Sequence, residues 1–167
     1  MATGAFTRFG LAVALACAAA DQAAKLWLIY GFDLRSREPV ALAPFLDLVL
    51  TFNPGVSYGL FQQDSPLGRG ILLGITAVAI VLLGIWLARA SSRLTALALG
   101  LIIGGAVGNA IDRLHWPGVL DFVLLHLDTA TWSFRWYVFN LADVAIVAGV
   151  VGLLYESLFG GSAVKAP

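Results

Sequence analysis

The sequence predicts an all-α membrane bundle of four transmembrane helices, with a small extracytoplasmic β-sheet forming a cradle from two outer loops. Three observations predict it. Hydrophobic residues make up 60% of the chain and charged residues 12%, with a mean hydropathy of +0.89, whereas soluble domains carry about 25% charged residues. The apolar residues gather into four long segments, and the two longest connections between them hold β-branched and aromatic runs. At 167 residues the chain has the length of one domain, and residues 1–167 read as a single integral membrane unit.

The apolar segments are Phe9–Tyr30, Ile71–Leu87, Leu94–Ile111 and Val138–Phe159. Each has about the length that crosses a hydrocarbon core near 30 Å thick at roughly 1.5 Å per residue. Lipid offers no partner to an unpaired backbone group, so such segments are helices. The first also imitates a secretory signal peptide, with Arg8, an apolar run and Ala18, Ala19 and Ala20. Its apolar character continues through Leu26, Trp27, Leu28, Ile29 and Tyr30, which makes it a span. In the third, Gly100, Gly104 and Gly108 repeat every fourth residue, a pattern that lets another helix approach closely.

Arg89 and Arg93 occupy the short connector Ala88–Arg93, and Arg8 and Lys165 lie near the termini. The excess of positive charge in short loops predicts that this side, with both termini, is cytoplasmic. The outer loops are then Gly31–Gly70 and Leu114–Tyr137. Strands are expected at Phe45–Phe52, Val119–Leu127 and Thr131–Phe139. Trp116, Trp132, Trp136 and Tyr137 fit an interfacial aromatic belt that anchors the sheet.

Several chemistries lack their residues. With a formal net charge of zero and no basic run, a nucleic-acid partner has no electrostatic support. Cys17 is the single cysteine and reads as inert packing. His115 and His126 have no metal-ligand spacing, and no GxSxG elbow exists, so a zinc or serine hydrolase is not expected and no metal or cofactor is called for.

The informative residues are polar ones where lipid disfavours them, since an ionisable group inside a span costs a few kcal/mol (about 3) even on insertion scales. Asp21 and Lys25 are spaced i, i+4 and can neutralise each other. Asn109, Asp112 and Arg113 end the third segment on what reads as one face. Asp143 follows Asn140 by one turn, and Asp121 lies in the second outer loop between Leu120 and Phe122. Asp121 and Asp143 are thus expected at one membrane depth. Two acids brought together in a low-dielectric site share a proton. One can then take a proton from an attacking water while the other donates to a carbonyl oxygen. Spacing alone leaves open a plainer reading in which each aspartate caps or pairs, Asp121 with Arg113 or Arg135. It also leaves open a small transporter and an assembly factor that binds a partner through the glycine stripe.

Five boxes, taken together, narrow the choice: DQAAK (Asp21–Lys25), FNPGVSYGLF (Phe52–Phe61), GGAVGNAIDR (Gly104–Arg113), GVLDF (Gly118–Phe122) and FNLAD (Phe139–Asp143). In order and over nearly the whole chain, they resemble the bacterial lipoprotein signal peptidase (signal peptidase II) family. The resemblance implies an aspartic endopeptidase of the bacterial inner membrane, with its site near the outer face. It implies cleavage of diacylglyceryl-modified prolipoproteins on the N-terminal side of the lipid-bearing cysteine, and binding of cyclic peptide inhibitors such as globomycin. The family's catalytic aspartates correspond to Asp121 and Asp143. Asn53, Gly108, Asn109, Arg113 and Asn140 would line or brace the site; Asp21, Lys25 and Asp112 would support it. Val56, Ser57 and Tyr58 depart from the family's usual two alanines and an aromatic, which bears on substrate contacts.

Overall fold

Four helices long and apolar enough to cross a membrane dominate the structure, a computed structural model that describes residues 4–55 and 66–159. Val56, Ser57 and Tyr58, and Lys165, lie outside the described residues. In chain order come α1 (Thr7–Leu26), which continues as a π-helical turn over Trp27–Gly31, and the short α2 (Leu34–Arg37). Strands β1 (Val40–Ala43) and β2 (Leu46–Asn53) follow, then α3 (Pro66–Leu87) and α4 (Arg93–His115). Strands β3 (Val119–Asp128) and β4 (Ser133–Arg135) precede α5 (Leu141–Phe159).

The helices sort by what they face. Val78 and Leu82 on α3, and Val147 and Val151 on α5, are exposed, and an apolar surface of this kind belongs in lipid. The most buried span is α4, which packs against α1, α3 and α5. Its small residues make that possible. A Cβ at Gly104 would stand 2.5 Å from the Ala14 carbonyl oxygen and 2.7 Å from the Cys17 Cβ of α1, so the two backbones meet where no side chain fits. Gly105 is pressed in the same way against Ala142 of α5. At its start, α4 is capped by Ser92, whose Oγ accepts from Leu94 N at 3.1 Å and Thr95 N at 3.4 Å.

At the opposite end of the bundle the strands form one antiparallel sheet in the order β1-β2-β3-β4. Three of its strands grow from the β-branched and aromatic runs, while β1 is an additional edge strand on β2. Strand β4 is shorter than its aromatic run: beyond Arg135 the chain leaves the sheet and returns only as a single bridge between Val123 and Phe139. Trp132, Trp136 and Tyr137 are exposed, Trp132 stacking on Phe134 at 5.7 Å, whereas Trp116 instead packs on Phe52 at 5.8 Å.

Side chains alternate across a strand. Leu120 and Phe122 point into an apolar cluster with Leu28 and Leu34, where the end of α1, α2 and β2 meet. Asp121, between them, is left to face the helices. The bridge to Phe139 (Val123 N to Phe139 O 2.9 Å, Phe139 N to Val123 O 3.0 Å) then brings the first turn of α5 to the same place.

Candidate active site

The first turn of α5 is held by a reciprocal cap. Asn140 Oδ1 accepts from Asp143 N at 2.9 Å, and Asp143 Oδ2 accepts from Asn140 N at 3.1 Å, so two donors that the helix leaves unpaired are satisfied together. Asn109 Nδ2 of α4 donates to Asp143 Oδ1 at 2.9 Å. Both oxygens of Asp143 therefore meet donors, at a helix N-terminus where the backbone dipoles favour negative charge.

Asp121 is held from two sides as well. Asn140 Nδ2 donates to its Oδ1 at 2.6 Å and Asn53 Nδ2 to its Oδ2 at 3.2 Å. The sheet register explains the second contact: Asn53 pairs with Val119 and Thr51 with Asp121, so Asn53 and Asp121 are diagonal neighbours on one face. Neither Arg113 nor Arg135 forms an ion pair with Asp121 among the described residues. Asp121 is only 2% exposed. Burial, and next the negative charge of Asp143, push its carboxyl up from 3.8 to about 7, against the hydrogen bonds from Asn53 and Asn140 and the charge of Lys25.

The two carboxyl groups line one cavity of about 150 Å³, with Asn53, Asn109, Arg113, Gly55 and Val119. At about 30 Å³ per water, it has room for a peptide group and an attacking water. Arg113 donates through Nη1 to the Asn109 carbonyl at 3.3 Å, while its buried Nε has no hydrogen-bond partner among the described residues.

Asp112 departs from the one-face expectation. Asn109 and Arg113 line the cavity, but Asp112 turns toward α1 and accepts from Lys25 Nζ at 2.6 Å. One residue is about 100° of helical turn, enough to move it to the neighbouring face. Asp21 and Lys25 pair at 2.7 Å, and Gly108 sits against that pair, where a Cβ would lie 2.7 Å from Asp21 Oδ2. His115 is exposed, and His126 lies at the far end of the sheet between Asp47 and Asp128. Gln22 was missed by the sequence reading: it hydrogen-bonds Asp112, Gly108 and Asp21. A single amide beside a charged pair carries no pattern of its own.

Comparison with known proteins bears on what this cavity does. The family described as Signal peptidase (SPase) II matches residues 13–159. The chain belongs to the signal peptidase II family. This peptidase is 58% identical over 160 residues to a lipoprotein signal peptidase of Nitrobacter hamburgensis, covering 96% of this chain and 98% of that one. It is 54% identical, with the same coverage, to one of Rhodopseudomonas palustris strain TIE-1. Two bacterial membrane enzymes solved by the in meso method share its fold. One, at 2.3 Å resolution, has a TM-score of 0.78 and 22% identity over 100% of this chain and 98% of its own. The other, at 1.9 Å, has 0.74 and 23% over 97% and 99%. Family membership makes the chain an aspartic-type peptidase.

Proposed function

We propose that this peptidase removes the signal peptide from diacylglyceryl-modified prolipoproteins, cutting N-terminal to the lipid-modified cysteine through water activated between Asp121 and Asp143. The names of its relatives support the substrate class. The observation that carries the mechanism is the convergence of the two carboxyl groups on one cavity.

Asp143, with donors on both oxygens and at the start of α5, is the ionised member that takes a proton from water. Asp121, near neutrality in its titration, is the protonated member that donates to the carbonyl oxygen as the tetrahedral intermediate forms. The proton gained by Asp143 then passes to the leaving amine. Arg113 lines the cavity beside the dyad, where its guanidinium can meet a substrate carbonyl. The sheet and cavity face the outer side of the bacterial inner membrane, with Arg89, Arg93 and both termini in the cytoplasm. The substrate's acyl chains remain in lipid while its scissile bond reaches the dyad. Cyclic peptide inhibitors such as globomycin occupy this same cavity.

The test is cleavage of a lipidated precursor by the purified protein in lipid vesicles. Asp121→Asn and Asp143→Asn should each cut the rate by about a thousandfold while the protein stays folded. Wild-type cleavage by either variant overturns the dyad.

A further inference from the structure

Next to the two aspartates lies a buried polar cluster that the proposed reaction does not touch. Asp21 Oδ1 accepts from Ala142 N at 3.1 Å, and Asp112 Oδ2 accepts from Leu120 N at 3.1 Å. Ala142 immediately precedes Asp143, and Leu120 immediately precedes Asp121. Lys25 Nζ bridges the two carboxylates, 2.7 Å from Asp21 Oδ2 and 2.6 Å from Asp112 Oδ2. Gln22, one turn earlier on α1, closes the cluster. Its Nε2 lies 2.8 Å from Asp112 Oδ1, 3.1 Å from the Gly108 carbonyl and 3.2 Å from Asp21 Oδ2.

We propose that Gln22, acting with Lys25, is a positioning residue for the reaction: together they clamp Asp21 and Asp112, so that α1 sets the separation of Asp121 and Asp143. The inference rests on the dyad reading above and adds how the dyad is held. Asn140 and the Val123–Phe139 bridge already tie β3 to the start of α5; the α1 cluster adds a second tie, which grips the backbone of both segments beside the two aspartates. Hydrogen bonds to a carboxylate are shorter and roughly twice as strong as neutral ones, and here one such bond grips the peptide N–H beside each aspartate. Lys25 is a single cation between two acids. Gln22 supplies the hydrogen that Asp112 Oδ1 receives, without adding a charge.

Gln22→Met keeps the length and charge of the side chain and removes its donors. With a lipidated precursor in vesicles, kcat should fall about tenfold or more, since a misplacement of about 1 Å costs on the order of a hundredfold. KM should stay within about twofold, because the cavity contacts to substrate are untouched. A lowered melting temperature with unchanged kcat would make Gln22 a structural brace only and overturn the proposal, as would a raised KM with unchanged kcat. Should Gln22→Met not fold, Gln22→Asn, polar but one methylene shorter, carries the same expectation and the same refutations. Asp121→Asn assayed in parallel separates the two readings. If it still cleaves, the dyad fails and the clamp with it; if it is dead while the Gln22 variants match wild type, only the clamp fails.

Discussion

Asp121 owes its chemistry to an accident of strand geometry made useful. Alternation along β3 buries Leu120 and Phe122 on one face, which turns the carboxyl between them toward Asp143, where burial and the neighbouring charge hold its proton to about pH 7. Deprotonation of Asp121 removes the proposed general acid, so kcat/KM should fall as pH rises through about 7, a limb that a pH profile on the lipidated precursor resolves. The same shift costs stability. Above about pH 4 the unfolded chain releases a proton that the folded chain retains, so stability is lost as pH rises from about 4 to about 7. In melting experiments, Asp121→Asn should gain on wild type as pH rises from about 4 to about 7; a constant difference would show that Asp121 does not titrate in that window.

The helices are placed by contacts of two kinds, small residues where backbones meet and caps where a helix begins. Gly104 belongs to the first kind, and a larger residue there forces α4 away from the Ala14 carbonyl and from Cys17. Gly104→Val should therefore lower the melting temperature by several degrees or prevent assembly, an overpacking cost of about 1–3 kcal/mol or more. Gly84 of α3 is the control, because a Cβ there meets nothing within 4 Å among the described residues. Gly84→Ala should be neutral or stabilising by up to about 1 kcal/mol, and a large loss at position 84 would show that α3 has a neighbour the bundle does not contain. Asn140 belongs to the second kind: its cap begins α5, and its amide also holds Asp121 and Asn109.

The bundle has two unlike ends. Residue Gly4 and the connector between α3 and α4 lie together, Gly4 N donating to the Ala88 carbonyl at 2.8 Å, while the sheet and the cavity occupy the other end. If the sheet faces outward, a cysteine replacing the exposed Thr129 in a Cys17→Ser background should react with an impermeant thiol reagent on intact cells. A cysteine replacing Ser91 should react only after permeabilisation. The reverse pattern would invert the topology.

Much of this was written along the chain. Membrane spans are legible because lipid demands long apolar runs and intrahelical hydrogen bonds, and β3 is legible because its residues are β-branched and apolar. Asp121 and Asp143 stood out because a carboxylate in such company is costly, and the order of the five boxes assigned them a family. What the linear pattern could not carry was who meets whom. The turning of Asp112 from the cavity to Lys25, the diagonal reach of Asn53, the double duty of Asn140 and the bridging by Gln22 all join residues from different segments. Such contacts depend on strand register and helix rotation, which are settled only when the elements pack, because a shift of one residue in either would send each of these side chains to another face.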